Sequence, residues 1–252
     1  MSDQPARTPL PTRLQPSPGL DLHSHYHSAR TGGDFFDALT LGPHVVFLLT
    51  DIAGTRTDAH TLAAAIQDTF RTRAPELFGT SGINLMDAIA TLAHDINHTL
   101  IATSHGVRFS PTFLACFDLP LGLLAWIHAG GQPAILRDAD GTRALEAACM
   151  PLGLFTLLTY EPAIQAFEPG ARLLLATKGV VEARRGRTHF GVERLIDLLQ
   201  SAPSTAAQEL CLATVEQAHQ FRNRPWHLLP TLPFTHPKRI EDLTAVALIR
   251  PL

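Results

Sequence analysis

Two adjacent helical stripes, bracketed on both sides by strand patterns joined through short turns, restrict the fold of this chain more than any other feature. The first stripe carries Leu62, Ile66, Phe70, Arg73 and Leu77, and the second carries Leu85, Ile89, Leu92, Ile96 and Leu100. Spacings of three and four residues put one face of a helix against a core. Ahead of them the pattern has period two: Leu20, Leu22, Ser24 and Tyr26 share one strand face, and Asp21, His23, His25 and His27 share the other. Gly32 and Gly33 interrupt it, and residues 34–41 and 45–51 read as two more strands around a Gly-Pro turn. After Gly106 strand patterns return at 112–117, 123–127, 134–137 and 143–147, the last two joined by Asp138-Ala139-Asp140-Gly141. Residues 163–167 and 172–177 flank a Glu168-Pro169-Gly170 turn. Helical patterns follow at 192–199 and 206–221, and a Pro-punctuated loop over 223–237 leads to a last strand at 243–249. Hairpins dominate this order, which predicts an α+β fold with antiparallel sheets rather than a parallel, doubly wound one.

The remaining bounds come from composition. At 252 residues and 45% apolar the chain can bury a sizeable core. Residues 1–18, with Pro5, Pro9, Pro11, Pro16 and Pro18, read as a floppy or polyproline-like lead-in without the apolar segment of a secretion signal, and residues 19–252 as a single domain. The longest apolar stretches, 45–49 and 121–127, fall far short of the roughly 20 residues of a membrane-spanning helix, so no membrane partner is expected. Lys plus Arg number 20 against 23 for Asp plus Glu, a net charge of -3, which argues against a nucleic-acid partner. Cys116, Cys149 and Cys211 form no CxxC pair and suit a reducing compartment, with the cytoplasm as the expected location. Lys178 and Lys238 are the only lysines; every other fixed positive side-chain charge is arginine.

The signatures of common nucleotide-binding, zinc-protease and nucleophile-elbow enzymes are missing: there is no GxGxxG, no Gly-Lys-Ser/Thr loop, no HExxH and no Gly-x-Ser-x-Gly. His23, His25 and His27 share a strand face. They are either a clasp for a transition metal or a row facing water while Leu20, Leu22 and Tyr26 face the core. More informative is a set of carboxylates at strand ends beside glycine or a turn. Asp34 follows Gly32-Gly33, Asp51 closes a strand ahead of Ile52-Ala53-Gly54, and Glu241-Asp242 opens the last strand. Hard divalent cations such as Mg²⁺ and Mn²⁺ prefer oxygen ligands of this kind, and small neighbours let backbone carbonyls approach.

Six segments, in order, resemble the bacterial branch of the metal-dependent PPM (PP2C-like) protein phosphatases, the SpoIIE and RsbU type, over residues 19–250. They are Gly32-Gly33-Asp34-Phe35-Phe36-Asp37, Thr50-Asp51-Ile52-Ala53-Gly54, His128-Ala129-Gly130-Gly131-Gln132-Pro133, Pro151-Leu152-Gly153, Thr177-Lys178-Gly179-Val180-Val181-Glu182-Ala183 and Glu241-Asp242-Leu243-Thr244. The resemblance implies an αββα sandwich of two antiparallel sheets flanked by helices, with a two-metal Mn²⁺ or Mg²⁺ site at one end of the sheets. It also implies direct hydrolysis of phosphoserine or phosphothreonine on a phosphorylated regulatory protein, of the anti-sigma-factor-antagonist type. Carried over position by position, Asp34 holds one metal, Asp51 bridges both, the Ile52 carbonyl adds a ligand, Glu241 matches the last ligand Asp with Asp242 beside it, and Arg30 meets the substrate phosphate.

One position departs from the pattern. Where the family has Thr-Asp-Gly with a metal-binding Asp, this chain has Thr177-Lys178-Gly179. An ammonium has three donors and no acceptor, so it cannot ligate a cation and repels one. Two functional readings follow. Lys178 pairs with Asp51 or Glu241 and holds the acids together without metal, leaving a phosphoprotein-binding module without turnover. Otherwise Asp34, Asp51 and Ile52 keep one metal, and Lys178 supplies the second positive charge beside the phosphoryl group. The third reading is that its side chain faces solvent. His128-Ala129-Gly130-Gly131 stands in place of the family's Asn-Ala-Gly-His and is expected to shape the strand near the site.

Overall fold

The computed structural model describes residues 8–27, 33–52, 54, 56–203, 206–223 and 242–252. Strands and helices are numbered along the chain. One sheet runs in the order β2 (Asp34–Leu41), β3 (His44–Asp51), β4 (Thr112–Asp118), β5 (Leu123–Ala129), β8 (Ala163–Ala166). The other runs β1 (Asp21–His27), β12 (Leu243–Ile249), β9 (Arg172–Ala176), β6 (Ala134–Asp138), β7 (Gly141–Ala144). Every pairing in both sheets is antiparallel.

The alternation of side chains sorts three apolar layers. Phe36, Phe47, Leu49, Phe113 and Phe117 of the first sheet meet Leu136, Leu173, Leu175, Val246 and Leu248 of the second, and this is the core of the sandwich. The opposite face of the first sheet, with Phe35, Val46, Leu48, Leu114 and Ile127, is covered by α1 (Arg56–Phe78) and α2 (Leu85–Ser104). The opposite face of the second, with Ile135, Leu174, Ala245, Ala247 and Ile249, is covered by α4 (Gly191–Ser201) and α5 (Ala207–Asn223). These are the four αββα layers expected from the resemblance. Strands buried on both faces need apolar residues at every position, which is why β3, β4 and β12 read as nearly continuous hydrophobic runs. No helix among the described residues is long and apolar enough to cross a membrane.

A buried polar tie fastens α1 to β2. Asp37 is fully buried, and its carboxylate accepts from Arg71 Nε at 2.7 Å, Arg71 Nη2 at 3.0 Å and Gln67 Nε2 at 3.0 Å. Gln67 also holds the lead-in: Leu10 N donates to Gln67 Oε1 at 2.6 Å, and Gln67 Nε2 donates to Leu10 O at 3.0 Å. Thr12 Oγ1 donates to Phe36 O at 2.7 Å, and Leu14 packs against the sandwich core. Residues 8–18 are therefore strapped across β2 and α1 and are not the floppy lead-in expected from their prolines. Proline removes donors from this segment, but side chains of the folded body supply partners for its remaining backbone groups.

The histidine face of β1 also needs correction, because it does not face water. The strand lies under α5: Cys211 Sγ donates to His23 O at 3.3 Å, Asp21 Oδ2 accepts from Ala207 N at 2.7 Å, and the His27 and His219 rings lie 4.2 Å apart. Burial first and neighbouring His23 second hold His25 below the ordinary histidine range. Leu20, Leu22 and Tyr26 do face the core, as the alternation predicts.

Two features were not legible. A short helix, α3 (Lys178–Val181), follows β9 directly, and a two-residue hairpin, β10 (Arg184–Arg185) with β11 (Thr188–His189), follows it. The strand expected over 143–147 ends at Ala144. The chain then leaves the second sheet for the first, where Ala148 N and Cys149 N donate to His128 O.

Candidate active site

Strand register brings the predicted carboxylates together. Asp34 is the first residue of β2, Asp51 is the last of β3, and the two are direct cross-strand partners. From the second sheet, Thr177 at the end of β9 and Thr244 in β12 reach across the sandwich. Their hydroxyls donate to Asp34 Oδ2 at 2.7 and 2.6 Å. Thr177 and Thr244 are themselves joined, Thr244 N donating to Thr177 Oγ1 at 3.2 Å and Thr177 N to Thr244 O at 3.0 Å. Asp34 is thus the point at which the two sheets are tied at this end. Both threonines lie inside the family motifs, yet their role was missed, because a hydroxyl carries no charge to mark it.

Electrostatics at Asp34 is unfavourable to a bare carboxylate. Loss of solvation pushes its carboxyl up to about 8, the adjacent Asp51 charge adds to this, and Asp242 contributes in the same direction; the two threonine hydrogen bonds oppose the shift without cancelling it. In EDTA, stability is expected to fall as pH rises from about 4 to about 8. The unfolded carboxyl loses its proton near 3.9, whereas the folded one keeps it until about 8. Between those limits the folded state binds more protons, so the slope is negative, and it flattens above the upper limit. Urea unfolding at pH 5 and pH 8.5 measures this, and Asp34→Asn removes the slope. An unchanged slope in that variant refutes the assignment.

Asp51 is oriented through its backbone. Its N–H donates to Pro111 O at 3.0 Å, and its carbonyl accepts from Ser110 Oγ at 2.7 Å. Ser110 is held by a two-way backbone bridge to Leu152, at 2.7 and 3.1 Å, and by hydroxyl contact with Thr50, which also meets Thr112. The Pro151-Leu152-Gly153 motif therefore acts through Ser110. The His128–Pro133 motif supports it in turn. Gly130 has φ 81°, and a Cβ there would lie 2.7 Å from Pro151 Cγ, while buried His128 donates from Nε2 to Gln132 O at 2.6 Å and closes the turn. Burial holds His128 below the ordinary histidine range, which makes it a neutral turn residue.

Ile52 buries its side chain under α1 and α2, and its N–H donates to Gly33 O at 2.9 Å. A Cβ on Gly33 would stand 2.2 Å from the Ile52 carbonyl oxygen. Gly33→Ala is accordingly expected to force the β2 and β3 ends apart beside the Asp34–Asp51 pair. The cost is about 2 kcal/mol of stability, the range for overpacked sites. A melt within error of wild type contradicts this contact.

Lys178 opens α3 and pairs with Glu182 Oε1 at 3.3 Å, with its side chain 64% exposed. Its ion pair lies within its own helical turn, i to i+4, and not with Asp51. Its side chain is largely exposed to solvent, and the expected alternative pairing with Glu241 lies outside the described residues. Asp242 is one of the charges acting on Asp34. Arg30, Glu241 and the loop with Trp226, His227 and Phe234 lie outside the described residues.

Among the described residues no three His, Cys, Asp or Glu side chains are gathered closely enough to hold a metal ion. The donor chemistry nevertheless fits one hard cation. Asp34 and Asp51 are oxygen donors in register, the Asp34 carboxyl is poorly solvated and repelled by Asp51, and a divalent ion relieves that repulsion. The His face of β1 offers no comparable set.

The comparisons with known proteins agree with this geometry. The model of the family Stage II sporulation protein E (SpoIIE) matches residues 42–227. Protein IcfG of Synechocystis sp. is 24% identical over 212 residues, covering 75% of this chain and 33% of that protein. Phosphoserine phosphatase RsbP of Bacillus subtilis is 22% identical over 195 residues, covering 76% of this chain and 45% of that protein. The chain thus spans less than half the length of either relative. Among solved structures, the RsbU and RsbW domains of Rv1364c from Mycobacterium tuberculosis superpose with a TM-score of 0.64 at 26% identity, over 93% of this chain and 62% of that one. With the matched segment running from β3, which carries Asp51, through α5 and leaving out only β1, β2 and β12 of the strands, the chain belongs to the SpoIIE family of PP2C-like phosphatase domains.

Proposed function

We propose that this chain is a divalent-metal-dependent hydrolase that removes phosphate from serine or threonine of a phosphorylated regulatory protein, of the anti-sigma-factor-antagonist type. The observation that carries the reading is the register-paired Asp34 and Asp51, two oxygen donors whose mutual repulsion a hard cation relieves. Mn²⁺ or Mg²⁺ would be held by Asp34, Asp51 and the Ile52 carbonyl, with Asp242 and Glu241 as further oxygen ligands. When bound, such an ion lowers the pKa of water and offsets phosphoryl charge. The protein's own part is positioning. Thr177 and Thr244 fix the Asp34 carboxylate, Ser110 fixes the Asp51 backbone, and Arg30 would meet the substrate phosphate. Free Cys116, Cys149 and Cys211 suit action in a reducing cytoplasm.

The test is phosphate release from a phosphoserine protein by EDTA-stripped protein to which Mn²⁺ is added back, with Asp34→Asn as the blank. Turnover that appears with Mn²⁺ and is absent from the blank supports the reading. Turnover equal to the blank at saturating Mn²⁺, with the cognate phosphoprotein, refutes it in favour of a binding module.

Lys178 modulates this site from a distance. Because its side chain is largely exposed and paired with Glu182, solvent screens its repulsion of a cation. Lys178→Asp is therefore expected to tighten Mn²⁺ binding by only about three- to tenfold, in line with the modest energies of exposed charges. Isothermal titration reads this, and equal or weaker binding in the variant refutes it.

A further inference from the structure

On the far face of the second sheet, the β10–β11 hairpin, α4 and α5 border an open groove of about 730 Å³ lined by Arg185, Arg194, Phe190, Phe221, Gln217 and Gln220 among others. Its chemistry is unlike that of the acid cluster. The Arg185 guanidinium carbon stands 4.8 Å from the centre of the Phe221 ring, and that of Arg194 stands 4.7 Å from the same ring. Phe190 meets Phe221 edge-on at 5.8 Å, so the floor is a rigid aromatic pair. Two cations held against one ring repel each other, and among the described residues neither Arg185 nor Arg194 is ion-paired with a carboxylate.

Their hydrogen bonds leave donors available. Both bonds made by Arg194 use Nη1, to His189 O at 3.0 Å and to Phe190 O. Its Nε and Nη2 are uncommitted among the described residues, and the guanidinium of half-buried Arg185 makes no hydrogen bond there. Exposed Arg184 and Arg187 add positive charge on the hairpin, in a chain whose net charge is -3. Gln217 and Gln220, exposed on α5, supply neutral donors and acceptors at the rim.

We propose that this pocket is a docking site for an acidic, aromatic-containing segment of a protein partner. Carboxylates of that segment would take the free donors of Arg185 and Arg194, and an apolar side chain would rest on Phe221. Guanidinium forks match carboxylate geometry in this way, and stacking on an aromatic ring pre-orients them. The volume favours a peptide segment over a single small anion, since it holds several side chains. The site is separate from Asp34 and Asp51, and the proposal does not depend on turnover.

The experiment is fluorescence polarisation with a labelled hexapeptide of Glu and Asp flanking one Phe. It is compared with the same peptide carrying Gln and Asn in their place, and run against the full chain. The acidic peptide is expected to bind saturably and to weaken with salt, and the amide peptide to bind at least about fivefold more weakly. Arg185→Gln is expected to lower affinity by roughly five- to tenfold at unchanged melting temperature, the scale of a lost charge-assisted contact. Gln220→Glu, which places a competing carboxylate at the rim without touching the Arg194 contacts, is expected to lower it similarly. Equal binding of the two peptides, no saturable binding, or full affinity in both variants overturns the proposal. So does displacement of the peptide by inorganic phosphate at low millimolar concentration, which would identify a small-anion site instead.

Discussion

Asp51→Asn is expected to reduce Mn²⁺-dependent phosphate release by more than about a hundredfold, since loss of even outer-shell partners of a metal typically costs ten- to a hundredfold. Two effects combine. The variant removes an oxygen donor of the metal position, and it removes the charge that, after desolvation, does most to raise the Asp34 carboxyl. Asp34 in the variant therefore ionises at lower pH, and less repulsion, that from Asp242, is left for a cation to relieve. The backbone of residue 51 keeps its bonds to Pro111 and Ser110, so the fold is expected to persist. Circular dichroism and a melt establish that, and Mn²⁺ titration separates loss of metal from loss of chemistry. An Asp51→Asn protein that binds Mn²⁺ as wild type does and turns over at more than about a tenth of its rate would remove Asp51 from the site.

Asp37→Ala is expected to lower the free energy of unfolding by about 3 kcal/mol, the lower end of the range for breaking a buried ion pair. The lower end applies because the Arg71 side chain is 29% exposed and can recover water once its partner is gone, whereas Asp37 is fully buried. Gln67 loses an acceptor in the same step, and with it part of the strap that holds Leu10. Urea unfolding with an unchanged m-value reads the cost as a shift in midpoint. Asp37→Asn, which keeps an acceptor for Gln67 and Arg71, is expected to lose about half as much. A loss below about 1 kcal/mol in the alanine variant would mean that the tie behaves as an exposed pair. Asp37 belongs to the same Gly-Gly-Asp segment as Asp34, yet it has a structural role three residues from the site. In a strand an odd spacing reverses the face, and Asp37 points to the α1 side.

Much of the fold was legible because hydrophobic period alone decides strand against helix. Asp34–Leu41 and Leu243–Ile249 were predicted at their observed limits, and the stripes of α1 and α2 cover the first sheet except at Arg73, which is half-exposed and pairs with Asp95 while Ala74 and Phe78 take the core side. The cross-strand pairing of Asp34 with Asp51 was not legible: it depends on β3 starting at His44, one residue before the expected limit, and a one-residue change of register moves every partner. What failed were statements about where a polar face points. The β1 histidines alternate correctly but meet α5, and nothing local to residues 23–27 records that a helix nearly two hundred residues later packs there. The prolines of residues 8–18 suggested freedom, while Gln67 and Phe36, distant in the chain, remove it.

The sequence by itself determined which residue types are available at each strand end, and hence the acid set, the family motifs and the antiparallel sandwich. Tertiary structure alone decided that Thr177 and Thr244 hold Asp34, that Ser110 carries the Pro151–Gly153 motif to Asp51, and that Lys178 pairs with Glu182 and not with Asp51. The physical reason is range. Periodicity, turns and side-chain chemistry act between near neighbours in the chain, whereas a carboxylate's solvation and hydrogen-bond partners are set by whichever segments the packed sheets bring within about 3 Å of it.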